Sequence, residues 1–305
     1  MKPTLLLAIP MGKAFEANFT EHFDVVSDMA PRKGLEVIVT VGTMNATGEV
    51  MDGFPDLKLI ACLGSGYESI DLAAAKARGV KVTNTVGTNA ATVADLAVGL
   101  LLASMRHVVY GDQNVRAGKW RGSNMARMLF TPSVTGRRIG IIGMGAIGRK
   151  IGERMAGFET EIGYFNRSKK ADLNWAFFDT PLALATWADV LLVAHRADES
   201  NRHMINADVM KALGKNGHIV NISRGSAIDE DALIAALKDG TISGAGLDVF
   251  DDEPNVRPEL VALDNVVLTP HIGGGTAEAL AAMSAAVVAN VNALLAGKAL
   301  PGEVV

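Results

Sequence analysis

Residues 138–148 carry the sequence RIGIIGMGAIG, which decides the fold class of this chain. The run 139–142 has the apolar, branched character of a buried strand, and Gly143, Gly145 and Gly148 follow it at the spacing of a tight turn that leads into a helix. In such a turn the first glycine permits the bend, the second leaves room for a phosphate group, and the third lets the helix pack on the strand. Amides at the helix N-terminus then bind phosphate oxygens. The stretch therefore predicts a dinucleotide-binding βαβ unit.

Short apolar runs alternate with helical patterns on both sides of this unit. Near-continuous hydrophobic strands separated by helices are typical of parallel sheets that are covered on both faces. A chain of 305 residues corresponds to roughly two domains, so we predict the α/β class with two Rossmann-like domains. The predicted strands are residues 5–9, 36–41, 58–63 and 80–83 in the first half and 139–142, 160–165, 190–194, 218–222, 244–249 and 266–268 in the second.

Two longer helical stretches, residues 89–118 and 276–295, mark the connections between the halves. The first stretch joins the first half to the second. The other follows the last predicted strand. We therefore expect the C-terminus to return to the first domain.

Charge and cysteine content exclude several classes of protein. The 29 basic and 33 acidic residues give a formal net charge of -4, which provides no general electrostatic reason to bind nucleic acid or an anionic membrane. The single cysteine, Cys62, excludes a disulfide framework and a thiolate-rich metal site, and we predict no metal. The apolar runs 5–9 and 96–103 are too short for a signal-peptide core and a membrane span. A soluble, cytoplasmic protein is expected.

The end of the strand predicted at residues 160–165 distinguishes between NAD and NADP. An Asp or Glu at this place accepts hydrogen bonds from the adenosine ribose of NAD. This chain has Asn166, followed by Arg167, Ser168, Lys169 and Lys170. The amide tolerates a 2′-phosphate, and the hydroxyl and cations would bind it, so we predict NADP, with NAD as the alternative. An ordinary exposed basic turn is the other interpretation of the same residues.

Three further strand ends carry polar side chains. Arg224 follows residues 218–222, Glu253 follows the strand at 244–249, and His271 follows 266–268. Because ligands bind beyond the carboxyl ends of parallel strands, we expect these groups to converge on the edge where the dinucleotide lies. A surface ion pair, a solvated acidic turn and a structural histidine are the separate alternatives. Their order at successive strand ends favours a catalytic set.

Together these motifs resemble the D-isomer-specific 2-hydroxyacid dehydrogenases. The resemblance rests on the glycine turn at 143–148, NISRG at 221–225, Asp248 with Glu253-Pro254, PHIGG at 270–274 and LGSGYESID at 63–71. It covers essentially the whole chain in order, and the turn at 166–168 is similar to that of NADPH-using glyoxylate/hydroxypyruvate reductases. It implies a flavodoxin-like substrate-binding (catalytic) domain at 1–96 and 284–305, a dinucleotide-binding Rossmann domain at 97–283, and an active site in the interdomain cleft.

The resemblance implies reduction of small 2-keto acids, such as glyoxylate or hydroxypyruvate, to D-2-hydroxy acids. The nicotinamide would supply the hydride and His271 the proton, since histidine exchanges protons near neutral pH. Glu253 would stabilise the imidazolium, while Arg224 would hold the substrate carboxylate and polarise the keto group. Backbone amides of the glycine-containing loop at 63–66 would bind the other side of the carboxylate. The predicted substrate-binding residues are Leu63, Gly64, Ser65, Gly66, Arg224 and His271.

Further cofactor contacts and selectivity residues follow from the same resemblance. His195 and Arg196 stand where many family members carry Cys-Pro, and we predict that they lie near the adenosine, with Arg196 adding to the phosphate pocket. Substrate selectivity is expected to depend on residues 43–45, Tyr67 and Trp120. The predicted cofactor-binding residues are Thr92, Gly143, Met144, Gly145, Ala146, Ile147, Asn166, Arg167, Ser168, His195, Arg196, Ile222, Ser223, Arg224, Asp248, His271, Gly273 and Gly274.

The resemblance also implies a homodimer built largely on residues 89–118. In it Trp120 would approach the partner's active site or anchor the interface. Two alternatives remain open. One is an NAD-dependent D-3-phosphoglycerate-type dehydrogenase, disfavoured because no regulatory C-terminal domain follows and the cofactor turn lacks a carboxylate. The other is a non-catalytic, dinucleotide-sensing corepressor-like protein, disfavoured because no interaction segments are appended.

Overall fold

The computed structural model describes residues 2–9, 12–42, 44–121 and 129–305. The chain divides into two compact units, one comprising Met1–Ala90 and Gly274–Val305 and the other Ala91–Gly273. Each unit is built on one sheet, and every strand pair in both sheets is parallel. The predicted α/β class with two parallel sheets is confirmed.

The first unit has a five-stranded sheet in the order β2-β1-β3-β4-β5, which is the flavodoxin-like order. Its short helices begin at side-chain caps: Thr47 Oγ1 accepts from the amide of Val50, and Asp71 Oδ1 accepts from the amide of Ala74. The elements are β1 (Thr4–Leu7), α1 (Lys13–Thr20), β2 (Asp24–Val26), β3 (Val37–Val41), α2 (Gly48–Asp52), β4 (Leu59–Leu63), α3 (Leu72–Ala77) and β5 (Lys81–Thr83).

The second unit has a seven-stranded sheet in which the first strand of the unit lies between the second and the fourth. This is the strand order of dinucleotide-binding Rossmann domains. The elements are α4 (Ala90–Met105), α5 (Val108–Arg116), β6 (Arg138–Ile142), α6 (Ala146–Ala156), β7 (Glu161–Phe165), β8 (Ala176–Phe178), α7 (Pro181–Trp187), β9 (Val190–Val193), α8 (Ala207–Leu213), β10 (His218–Asn221), α9 (Glu230–Asp239), β11 (Gly244–Leu247), α10 (Pro258–Val261) and β12 (Val266–Leu268). The chain then returns to the first unit as α11 (Ala277–Leu295).

Burial on both faces explains why the strands are apolar along their whole length. In β9, Val190 and Leu192 pack into the core formed with α4 and α6, whereas Leu191 and Val193 pack into the core formed with α7, α8 and α9. Side chains alternate between faces along a strand, so a covered sheet needs apolar residues at every position. Each fully buried side chain of this kind contributes about 1.5–3 kcal/mol.

The helical stretch predicted as one at residues 89–118 is two helices, α4 and α5. His107 lies between them with a left-handed φ of 51°, and the helices meet at a bend of 62°. The amide of His107 bonds to the carbonyl of Ser104, three residues back, which ends the regular ladder of α4. Neither glycine nor proline marks this break in the sequence.

The units divide before Ala91 and before Gly274, whereas the sequence predicts boundaries at 96/97 and 283/284. The difference arises because each connecting helix packs almost entirely into one core. Val93 and Ala94 of α4 belong to the second unit's core, and Ala279 and Met283 of α11 belong to the first unit's core. The boundaries therefore precede the bodies of both helices.

Helix α11 is long and apolar enough to cross a membrane, with a mean hydropathy of 1.5 over its most apolar window, of which 33% is buried. Helices α4 and α5 meet the same criterion only when they are taken together as one bent segment. The apolar side chains Met283, Val287 and Val291 of α11 pack in the core against the first sheet, which accounts for its hydropathy. The expectation of no membrane association stays a prediction.

Candidate active site

The loop between β6 and α6 forms a cradle that fits a pyrophosphate. Gly143 has φ 96°, and a Cβ there would lie 2.4 Å from the backbone nitrogen of His195, so only glycine fits. A Cβ on Gly148 would lie 2.1 Å from the carbonyl oxygen of Gly143. A Cβ on Gly145 would meet nothing within 4 Å, and among the described residues no side chain caps α6. The positive dipole end of α6 is therefore uncapped beside an open position at Gly145, as phosphate binding requires.

Asn166 holds this cradle from the end of β7. Its Oδ1 accepts a hydrogen bond from the amide of Met144 at 3.2 Å, and its Nδ2 donates to the carbonyl of Ser168 at 3.1 Å. The sequence predicts only that Asn166 tolerates a 2′-phosphate, whereas the structure shows that it also fixes the glycine loop and the basic turn. Arg167, Ser168 and Lys169 are exposed on that turn. They are therefore free of core packing and accessible to a ligand.

The residues after β9 flank the cradle on its other side. Ile142 of β6 pairs with Phe165 of β7 and with Val193 of β9, so the chain segments that follow these two strands straddle the glycine loop. His195 packs against Gly143, and burial lowers the pKa of its imidazole, which keeps the ring neutral near neutral pH. Arg196 is exposed at the same edge.

The turn that presents Arg224 is shaped by Asn221, the last residue of β10. Its buried Oδ1 accepts from the amide of Ser223 at 3.0 Å and from the Ser223 hydroxyl at 3.1 Å. Its Nδ2 donates to the carbonyl of Arg224 at 2.8 Å. Sequence reasoning did not assign a role to Asn221, although a polar residue closing a buried apolar strand was the available signal. Ile222 and Ser223, predicted to contact the cofactor, are buried in this turn.

The Arg224 turn lies directly against the acidic loop that follows β11. A Cβ on Gly225 would lie 1.9 Å from the carbonyl carbon of Phe250, so the two backbones are in close contact. Asp251 pairs with Arg202 at 3.3 Å and is exposed, whereas Glu253 turns inward and accepts from the amide of Phe250 at 3.0 Å. The acidic run is therefore not a uniformly solvated turn.

Glu253 and His271 form a hydrogen-bonded pair, with 2.7 Å between Glu253 Oε2 and His271 Nδ1. Burial raises the pKa of the Glu253 carboxyl, but the hydrogen bond and charge of His271, the Phe250 amide and the Arg224 guanidinium outweigh it, so the net pKa is lowered. Glu253 is thus a carboxylate near neutral pH. His271 has a left-handed φ of 52° and its side chain is 38% exposed, so its ring is accessible to a ligand.

Asp248, which is 2% exposed, holds the loop that carries His271. Its Oδ1 accepts from Thr269 Oγ1 at 2.7 Å and from the amide of Ile272 at 2.9 Å, and its Oδ2 accepts from the amide of Gly273 at 2.9 Å. These bonds support the unusual backbone conformation of His271. The sequence predicts Asp248 as a cofactor contact, and the structure gives it a positioning role in this loop.

The predicted substrate loop at residues 63–66 lies in the first unit. Thr85 Oγ1 accepts from the amide of Gly64 at 2.7 Å, and Asn84 Nδ2 donates to the carbonyl of Ser65 at 3.1 Å. The Gly64 amide is therefore occupied, and the amide of Leu63 lies within β4. Within the described part of the chain, the backbone amides of Ser65 and Gly66 have no hydrogen-bond acceptor. Of the backbone amides predicted to bind the substrate carboxylate, these two are therefore the ones left to do so.

The remaining predicted residues are distributed over both units. Thr92 lies in the first turn of α4 in the second unit, whereas Gly274 belongs to the first unit. Thr43, expected to affect selectivity, lies outside the described residues. Trp120 is 67% exposed.

In the second unit, the sheet edge combines a phosphate cradle, an arginine turn and a carboxylate–imidazole pair. The cradle follows β6, and the other groups follow β10, β11 and β12. A carboxylate that fixes an imidazole is suited to proton transfer, and an arginine beside it is suited to a carboxylate or a developing oxyanion. The fold and site define the class of dinucleotide-dependent oxidoreductases.

Comparison with known proteins assigns the family within that class. The sequence profile of "D-isomer specific 2-hydroxyacid dehydrogenase, NAD binding domain" matches residues 98–273. A glyoxylate/hydroxypyruvate reductase of Arabidopsis thaliana is 39% identical over 311 residues, which cover 99% of this chain and 98% of the relative. A hydroxyphenylpyruvate reductase of Plectranthus scutellarioides is 37% identical, with the same coverage. The chain belongs to the D-isomer specific 2-hydroxyacid dehydrogenase family.

Solved structures agree with this assignment. A D-isomer specific 2-hydroxyacid dehydrogenase from Polaromonas superposes with a TM-score of 0.92 at 33% identity, covering 100% of both chains. An NADPH-dependent glyoxylate/hydroxypyruvate reductase from Sinorhizobium meliloti, solved with NADP and malonate, superposes with a TM-score of 0.89 at 34% identity, covering 100% of this chain and 97% of that one. The resemblance inferred from the sequence motifs is confirmed.

Proposed function

We propose that this protein reduces small 2-keto acids to D-2-hydroxy acids with NADPH, and that glyoxylate and hydroxypyruvate are among its substrates. The observation that carries the proposal is the Glu253–His271 pair, joined at 2.7 Å and lying at the same sheet edge as Arg224 and the glycine cradle. Relatives named glyoxylate/hydroxypyruvate reductase and 2-ketogluconate reductase support this substrate class.

The carboxylate–imidazole pair determines which ring nitrogen moves the proton. Since Glu253 accepts from Nδ1 of His271, Nε2 is the nitrogen left to face the substrate. The glycine cradle at residues 143–148 and the turn at 166–169 would hold NADPH, which would supply the hydride for the keto carbon. His271 gives the proton on Nε2 to the keto oxygen, and the ring becomes neutral while Nδ1–H keeps its hydrogen bond to the Glu253 carboxylate. In the oxidative direction Nε2 takes the proton back.

Arg224 provides the positive charge that the substrate needs. Its backbone is fixed by Asn221 and its Nη1 donates to the carbonyl of Ser223 at 2.7 Å, so the guanidinium starts from a defined position. The planar donor fork binds the substrate carboxylate and polarises the keto oxygen as negative charge develops. The amides of Ser65 and Gly66 stay as the predicted additional carboxylate donors.

The preference for NADPH rests on the turn after β7. Asn166 stands where a carboxylate would repel the 2′-phosphate, and Arg167, Ser168 and Lys169 are exposed beside it. The Sinorhizobium meliloti relative described as NADPH-dependent supports this choice. In Asn166→Asp the carboxylate still accepts from the Met144 amide, so the glycine loop is retained, while the hydrogen bond to the Ser168 carbonyl is lost and the phosphate is repelled. Weaker binding of NADPH is expected, and an unchanged affinity would contradict the phosphate-pocket assignment.

The reaction is tested by following the oxidation of NADPH with hydroxypyruvate or glyoxylate. The chirality of the glycerate formed from hydroxypyruvate is determined as well. His271→Asn removes the proton donor, so turnover is expected to fall by about 10²–10⁴ while NADPH binding survives. D-Glycerate from the wild type is expected. Near-wild-type turnover of His271→Asn would remove His271 from the mechanism.

We further propose that the protein is a homodimer whose interface is built largely on residues 89–118. Exposed apolar side chains in this stretch and in the described residues shortly after it support the proposal; they are Val108, Val109, Val115, Trp120, Leu129 and Phe130, with Phe130 95% exposed. Clustered exposed apolar side chains are typical of a protein interface. A dimer is expected in analytical ultracentrifugation, and Val109→Asp should weaken it. A wild-type monomer at micromolar concentration would contradict the proposal. The cytoplasmic location stays a prediction.

A further inference from the structure

A carboxylate, Asp198, follows β9 two residues after Arg196, one of the cations predicted for the phosphate pocket. Asp198 begins the short turn after β9, where its Oδ1 accepts from the amide and the hydroxyl of Ser200, the amide at 2.9 Å. Asn201 Oδ1 in turn accepts from the amide of Asp198 at 2.9 Å, and Asn201 Nδ2 donates to the carbonyl of Arg196 at 3.0 Å. These bonds fix the carboxylate relative to the backbone of Arg196.

The sheet register places the Arg167 turn at the same edge of the sheet. Strands β7 and β9 both pair with β6 and are therefore about 10 Å apart, so long side chains on the segments that follow them can approach one another. The pKa of Asp198 is lowered, first by its hydrogen bond with Ser200 and also by the charges of Arg167 and Arg196. The direction of this shift agrees with the placement of both arginines on the side of the cradle where Asp198 lies.

We propose that Asp198 limits the preference of this protein for NADPH over NADH, because its carboxylate competes with the 2′-phosphate for Arg167 and Arg196. This inference rests on the proposed binding of NADP. A phosphate monoester carries about -1.5 to -2 charges near neutral pH, so a neighbouring carboxylate repels it and neutralises part of the positive charge that attracts it. When NADH is bound, which lacks the 2′-phosphate, the Asp198 carboxylate still balances the positive charge of the two arginines. Asp198 is therefore a specificity-determining residue that keeps both cofactors usable.

Asp198→Asn isolates the charge, because asparagine caps a turn as well as aspartate and keeps an oxygen for the Ser200 amide. The matched control is Glu161→Gln, which removes one negative charge from the opposite end of β7, where Glu161 is exposed and pairs with Arg138 at 3.9 Å. Melting temperatures of both variants establish that the fold is intact. The probes are adenosine 2′,5′-bisphosphate and AMP, whose binding by titration calorimetry requires no turnover.

For Asp198→Asn we expect the dissociation constant of adenosine 2′,5′-bisphosphate to fall about 3- to 10-fold, with that of AMP unchanged. The Glu161→Gln control is expected to bind both probes like the wild type. If the wild type prefers the bisphosphate to AMP, and Asp198→Asn binds the bisphosphate no more tightly than the wild type does, the proposed role of Asp198 is overturned while the NADP assignment stands. Absence of any preference for the bisphosphate in both proteins overturns that role and the NADP assignment together.

Discussion

Replacing Glu253 by glutamine tests how the carboxylate controls the proton donor. Glu253 Oε2 accepts from Nδ1 of His271 at 2.7 Å, and Oε1 accepts from the Phe250 amide at 3.0 Å. Glutamine preserves the size of the side chain and one acceptor but removes the negative charge. The hydrogen bond that orients the His271 ring is then made to a neutral group and should be weaker.

The size of the effect follows from the geometry of the pair. A hydrogen bond to a charged group contributes about 1.5–3 kcal/mol and a neutral one about 1 kcal/mol. Because the side chain of His271 is 38% exposed, solvent screening favours the lower end of this range, a difference of about 1 kcal/mol. Since 1.4 kcal/mol corresponds to a factor of about 10 in rate, reductive kcat/KM should fall by a factor of about 5.

The assay is kcat/KM for hydroxypyruvate reduction near neutral pH, with the reverse oxidation measured on the same enzyme. The oxidative reaction places the proton on the same imidazole, so its kcat/KM should fall by a similar factor. Asp252→Asn is the matched control, because Asp252 is exposed and, among the described residues, its carboxylate accepts one hydrogen bond, from Asn255 Nδ2 at 3.5 Å. A kcat/KM of Glu253→Gln equal to that of the control would refute the role of Glu253.

Three further predictions concern groups that support the site or the fold. Asp248→Asn leaves a buried amide of the loop that carries His271 without an acceptor, which costs about 1–3 kcal/mol of stability. Both the melting temperature and kcat should therefore fall, and wild-type values would contradict the positioning role of Asp248. Burial lowers the pKa of His218 from 6.5 to about 4 in the folded protein. As the pH falls between these values, the imidazole is protonated in the unfolded chain but not in the folded one, so the free energy of unfolding decreases. His218→Asn should therefore show a smaller drop in melting temperature from neutral to acidic pH than the wild type, and an equal drop would contradict this. Gly143→Ala should abolish dinucleotide binding, measured by calorimetry, because its Cβ would lie 2.4 Å from the His195 backbone; wild-type affinity would refute the cradle.

The main strands were predictable from local patterns, and so was the position of the three proposed catalytic residues at strand ends. Runs such as 190–194 are apolar at every position, as burial on both faces requires, and Arg224, Glu253 and His271 follow successive strands. The edge strands β2 and β8 gave no such signal, since each has three residues of which none is fully buried. Short edge strands depend on the neighbouring strand rather than on their own pattern.

Hydrogen-bond partners distant in the sequence account for what could not be predicted. Asp248 is a polar residue near a strand end, but its sequence neighbours do not reveal that it faces amides of residues 272 and 273. Asn166 similarly carries no sign that it holds the Met144 amide. The role of Asp198 depends on two arginines that follow different strands, which only the strand order brings together. Such contacts follow from the tertiary structure rather than from local propensity.

The most direct test of the proposed function is the loss of reduced-nicotinamide absorbance with glyoxylate and hydroxypyruvate, comparing NADPH with NADH on the wild-type protein. The account predicts turnover of at least one of these acids with a higher kcat/KM for NADPH. Turnover that prefers NADH would contradict the assignment of the turn at Asn166 and Arg167 to the 2′-phosphate. Absence of turnover with both acids and both cofactors would contradict the proposal that this protein is a reductase of small 2-keto acids.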